Sequence, residues 1–120
     1  TQAEGLLLNR PAFALPLPAR SGAAKPALPA TASFVAAAQE NIVVDTVKKA
    51  EDGHAVIVRL HEAHGARGPA DLRFCRTPKT VHECDLMEEN DTPVPVAPDG
   101  TVRLHVTPFE IRTLKVTFKQ

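Results

Sequence analysis

The chain has 120 residues and a mass of 12.9 kDa, enough for one domain with a real core. Lys plus Arg and Asp plus Glu both number 14, so the basic excess of a nucleic-acid binder and the polybasic cluster of a membrane-surface protein are both missing. No apolar run nears the roughly 20 residues of a membrane span, and with neither Trp nor Tyr and only 5 Phe the flat platforms on which sugars and bases stack are scarce.

The chain opens at Thr1 and its single Met is Met87, so a piece of a larger protein is the expectation. Residues 1–38 hold 12 Ala and 5 of the 11 Pro. Apolar Gly5 to Asn9 reads as a short strand. The following Pro-rich stretches cannot be helical, because proline lacks the N–H and restricts its predecessor to extended backbone. Residues 1–38 are therefore expected to be a strand plus an extended linker that belongs in part to a neighbouring domain. Ser33 to Glu40 is long enough for one turn of helix only.

From residue 39 onward short β-branched runs alternate with turn signals, the pattern of an antiparallel β-sandwich. The first run is Ile42 to Ala50, with Ile42, Val44 and Thr46 on one face. Asp52-Gly53 then marks a hairpin. The second run, His54 to Ala63, places Val56, Val58 and Leu60 on one face and Ile57, Arg59 and His61 on the other. The third, Ala70 to Arg76, turns Leu72 and Phe74 inward. The fourth, Thr80 to Met87, has Cys84 and Leu86 as its expected inward pair. Residues 88–98 are acidic and Pro-broken, hence loop or edge. Val102, Leu104 and Val106 mark a half-buried fifth strand. In the sixth, residues 109–118, the apolar set changes parity, which suggests a bulge near Arg112-Thr113.

Candidates for chemistry are few. His61-Glu62-Ala63-His64 lacks the H-E-x-x-H spacing of a zinc protease, and on a strand positions i and i+3 face opposite ways. Arg59 and Glu62 could form a buried pair that organises a domain interface, or an exposed pair of little energetic weight. Asp85, Glu88, Glu89 and Asp91 include carboxylates of the kind glycosidases use in pairs and calcium loops use as ligands, but a solvated turn suits their spacing better. Cys75 and Cys84 read as two reduced thiols of a cytoplasmic protein; a cross-strand disulfide is the alternative.

Four segments carry a family resemblance. Lys48-Lys49-Ala50-Glu51-Asp52-Gly53 is followed by Arg59-Leu60-His61-Glu62-Ala63-His64-Gly65, then Leu86-Met87-Glu88, then Pro108-Phe109-Glu110-Ile111-Arg112-Thr113-Leu114. In this order they resemble the C-terminal part of glycoside hydrolase family 38 α-mannosidases, and Leu8-Asn9-Arg10-Pro11 resembles the end of that family's preceding β domain. The resemblance implies a parent enzyme that hydrolyses α-mannosides with an Asp nucleophile and a zinc ion, both in a catalytic domain whose motifs have no counterpart here. No catalytic, cofactor or metal residue is therefore assigned to this chain. The expected role is a non-catalytic C-terminal β-sandwich supporting the catalytic domain. Its partners would be the parent's other domains, and Arg59, Glu62 and Arg112 are its candidate interface residues. A carbohydrate-binding module and an unrelated interaction sandwich are the alternatives.

Overall fold

The computed structural model describes residues 2–9, 11, 13–16, 22, 29 and 31–119. Among them the architecture is all-β apart from one short helix, as two antiparallel sheets packed face to face. The strands are β1 (Val35–Ala37), β2 (Ile42–Lys49), β3 (Val56–Glu62), β4 (Gly68–Phe74), β5 (Pro78–Cys84), β6 (Thr92–Val94), β7 (Val102–Val106) and β8 (Ile111–Phe118). A five-stranded sheet runs in the order β2-β3-β8-β5-β6 and a three-stranded sheet in the order β1-β4-β7.

Side-chain alternation builds the core between them. Val58 and Leu60 from β3, Val81 from β5 and Leu114 and Val116 from β8 face Ala70 and Leu72 of β4 and Val102, Leu104 and Val106 of β7. Burying each large aliphatic side chain contributes roughly 1.5–3 kcal/mol. The two ends of the sandwich close differently. At one end Phe34, Phe74 and Phe118 meet edge to face, with centroids 5.6–6.3 Å apart. At the other, polar side chains and tight turns seal the gap.

Several expectations need correcting. Gly5 to Asn9 is not a strand but lies in a helix, α1 (Gln2–Asn9). Three consecutive Leu, with Glu4 in the first turn and no β-branched residue, favour helix. Ser33 to Glu40 contains β1 instead of a helical turn, because Val35–Ala37 completes the edge of the small sheet against β4. The expected extended course of the Pro-rich segment falls largely outside the described residues.

In β2 the alternation is reset at Asp45, where the register against β3 jumps from Val44↔Leu60 to Thr46↔Arg59. The expected bulge near Arg112-Thr113 is absent: β8 pairs with β3 without interruption from Ile111↔His61 to Val116↔Val56. The parity change has another cause. Phe109 belongs to a turn rather than a strand, with φ 59°, and Ile111 points to the outer face. Leu86, expected inside, is exposed. Cys84 is buried, yet outside the main core, in a cluster with Ala50, Ala55 and Ile57.

Candidate functional site

Glu62 ends β3 on the same face as Val58 and Leu60, so alternation drives a carboxylate into the polar end of the sandwich. It is 1% exposed. Oε1 accepts from the Asn41 side-chain amide (2.9 Å) and the His64 N–H (2.9 Å), and Oε2 from the Gly65 N–H (2.7 Å) and the Phe109 N–H (3.0 Å). Burial alone would raise its pKa; the hydrogen bonds from Phe109, Asn41, His64 and Ala66 outweigh that and hold it at about 2, against an ordinary 4.5. Both oxygens of the ionised form are thus used to fold two loops onto each other.

The neighbours of Glu62 complete this clasp. Its own N–H donates to the Glu110 carbonyl at 3.0 Å. Glu110 Oε2 in turn accepts from the Thr107 N–H (2.7 Å) and hydroxyl (3.1 Å). Gly65 has φ 73°, and a Cβ there would stand 2.9 Å from the Phe109 ring. Only glycine meets both demands without strain.

Arg112 faces inward beside Leu60 and bridges the sheets. Its Nε and Nη2 donate to the Glu83 carboxylate, and Nη1 donates to the His105 carbonyl of β7 at 2.8 Å. Arg59 lies on the opposite, outer face, where Nε reaches the Thr113 hydroxyl at 3.3 Å. Arg59 and Glu62 are therefore not paired with each other. The three candidate interface residues do not converge: two help to close one end of the sandwich, and the third lies outside.

A second clasp holds residues 85–91 across the outer face of the large sheet. Asp85 Oδ1 accepts from the Met87 N–H (2.9 Å) and the Glu89 N–H (3.0 Å), and Oδ2 from the Asn90 amide (2.6 Å). Glu88 and Asn90 both have left-handed backbone, with φ 66° and 60°. Glu88 is buried and pairs with Lys48 (2.6 Å) while accepting from the Glu51 N–H (2.8 Å). Lys115 Nζ donates to the Glu88 carbonyl (2.8 Å) and to Asp91 (3.0 Å). The Lys48 hydrogen bond, followed by that from Glu51, lowers the Glu88 pKa despite burial. Under this strap, burial pushes the Cys84 thiol up.

Other surface features are simpler. A shallow groove of about 580 Å³ crosses the outer face of the small sheet and is floored in part by Asp71 and Arg103, whose charges meet in a two-pronged ion pair at 2.6 and 2.7 Å. Among the described residues no group of three or more His, Cys, Asp or Glu side chains could hold a metal ion. His61 Nδ1 is engaged by Asp45 at 2.9 Å, and His64 sits beyond the strand end. Both thiols are free, Cys75 exposed and Cys84 buried.

Of the residues that matter most here, Glu88 was expected in a solvated turn and is instead buried, Asn41 carried no signal, and Lys48, Gly65 and Phe109 were not singled out by residue type. The signal that marks all but Asn41 is the set of short motifs, which meet in space as two pairs. The Arg-Leu-x-Glu-x-x-Gly strand end joins Pro-Phe-Glu through Glu62, and the Lys-x-Ala-Glu-Asp-Gly hairpin joins Leu-x-Glu through Lys48 and Glu88.

Comparison with known proteins agrees with that reading. Residues 41–114 match the family model described as the glycosyl hydrolases family 38 C-terminal beta sandwich domain. The chain is 33% identical over 87 residues to alpha-mannosidase G of Dictyostelium discoideum, covering 69% of this chain and 8% of that protein. It is 32% identical over 111 residues to alpha-mannosidase 2C1 of Mus musculus, covering 89% of this chain and 10% of that protein. The human alpha-mannosidase 2C1 is 30% identical over 112 residues, with 89% and 10% covered. The chain thus spans about a tenth of the length of these relatives.

Proposed function

The chain belongs to the C-terminal β-sandwich domains of glycosyl hydrolase family 38, and we propose that it is a non-catalytic module of a larger α-mannosidase, buttressing the domains that cleave α-mannosides. The observation that carries this reading is how the buried charges are used. A retaining glycosidase needs two carboxyl groups about 5–5.5 Å apart, flanking a bond of the substrate. Here Glu62 is surrounded by donors of its own chain, and Glu88 is held by Lys48 and the Glu51 N–H. Among the described residues no buried side-chain N or O lacks a partner. These groups build turns.

In such an enzyme the nucleophile, the zinc ion and the mannoside contacts belong to the other domains. The free thiols support a reducing, cytoplasmic setting. No helix among the described residues is long and apolar enough to cross a membrane.

The test pairs two samples. The purified chain, assayed with an aryl α-mannoside, is expected to show no turnover, while the longer polypeptide carrying it hydrolyses the substrate. Turnover by the chain alone overturns the non-catalytic reading, and an inactive longer polypeptide overturns the α-mannosidase reading. Binding of the isolated chain to a mannose-containing glycan array would replace the buttress by a carbohydrate-binding module.

A further inference from the structure

Leu86, Met87, Phe109 and Ile111 are exposed by 57–77%; Leu86 and Met87 follow the end of β5, Phe109 lies in the turn before β8, and Ile111 opens β8 on the outer face of the large sheet. Cys84 pairs with Thr113 and His61 with Ile111, so the strap leaves β5 beside the start of β8. Phe109 lies two residues before that start.

These side chains are held on fixed backbone. Leu86 and Met87 stand on the strap that Asp85, Lys48 and Lys115 fasten. Phe109 is tied through its N–H to Glu62, with its ring over Gly65. Left-handed backbone at the non-glycine residues Glu88, Asn90 and Phe109 persists only where the surroundings over-determine it. Apolar side chains carried on a fixed backbone have less freedom to lose on docking, and grouped exposed apolar side chains mark interaction surfaces.

We propose that the surface around the start of β8 is a docking face for the remainder of the same polypeptide: a neighbouring domain that offers an apolar surface to Leu86, Met87, Phe109 and Ile111. Its polar rim meets Arg59 and the His61–Asp45 pair. The proposal rests on the family reading above, since the relatives are about ten times the length this chain matches and so supply the covering domain. It gives Arg59 a place at the edge of that contact and leaves Glu62 beneath it as the residue that sets the position of Phe109.

The test uses the double variant Leu86→Ser/Met87→Ser and, separately, Ile111→Thr, which keeps a β-branched residue in the strand. In the isolated chain each variant shifts the melting midpoint by less than about 3 °C, as expected for exposed side chains in a domain this small. In the longer polypeptide the double variant speeds proteolytic release of the sandwich about tenfold, reporting the open population. Equal release rates for variant and parent overturn the proposal. A large drop in the isolated chain's midpoint also overturns it, because the side chains would then serve the domain's own fold. If the isolated chain dimerises by sedimentation and the double variant abolishes the dimer, the occupant is a second copy and the proposal fails. Mannosidase activity of the parent polypeptide is read alongside, so that failure of the family reading is distinguishable from failure of the docking face.

Discussion

The two clasps invite comparison because each is organised by a buried glutamate next to a left-handed turn, yet the glutamates are satisfied differently. Among the described residues Glu62 has no cation as a partner. Its charge is met by three backbone N–H groups and one side-chain amide at 2.7–3.0 Å, so removing it takes the acceptor from all of them at once. Glu88 has one backbone donor and a lysine, and Lys48 is close enough to solvent to be hydrated alone. A carboxylate that replaces missing backbone acceptors is harder to lose than one that neutralises a surface cation. The first clasp should therefore belong to the global fold and the second to a local opening.

The largest effect should follow Glu62→Ala. It strands the N–H groups of His64, Gly65 and Phe109, and the melting midpoint is expected to fall by more than about 10 °C, measured by circular dichroism. Acid should reproduce part of this loss. The folded pKa of Glu62 is depressed, to about 2 from an ordinary 4.5. Its stabilisation is therefore fully present above pH 4.5 and disappears as the pH falls through 2. The stability gap between the parent chain and Glu62→Gln should be constant from pH 7 to 5 and close below that.

Gly65→Ala comes next. A left-handed non-glycine residue costs roughly 1–2 kcal/mol, and the new methyl must also displace the Phe109 ring; urea denaturation reads the sum. Glu88→Gln should leave the midpoint nearly unchanged but accelerate amide exchange in residues 85–91 while β3 and β8 keep their protection. Equal global destabilisation by Glu62→Gln and Glu88→Gln would break the distinction between the clasps. The smallest effect belongs to Arg103→Met: Arg103 is largely exposed although Asp71 is mostly buried, and losing the two-pronged pair should lower the melting midpoint only slightly.

Legibility in the sequence divides along similar lines. Strands with a clean period of two, such as Val102-Arg103-Leu104-His105-Val106, were readable, as was the Asp52-Gly53 hairpin. Alternation alone could not see the reset at Asp45 or the turn at Phe109, because each changes which face later residues occupy. It also could not see that the strap covers Ile57 and Cys84, which gives the large sheet two buried faces where the pattern suggested one. Leu6-Leu7-Leu8 carries apolarity without period, and chain propensity for helix decided its conformation. Glu62 was marked as a residue of interest, but in the company of Arg59. The partners it has, Asn41 and Phe109, stand 21 and 47 residues away, and no local pattern links them.

The most direct measurement is Glu62→Gln made in the longer polypeptide, with the melting midpoint and kcat/KM for an aryl α-mannoside read on the same sample. A residue that builds the sandwich should lower the midpoint and leave kcat/KM per folded molecule unchanged. A collapse of turnover at an unchanged midpoint would contradict the claim that this domain supports catalysis without taking part in it.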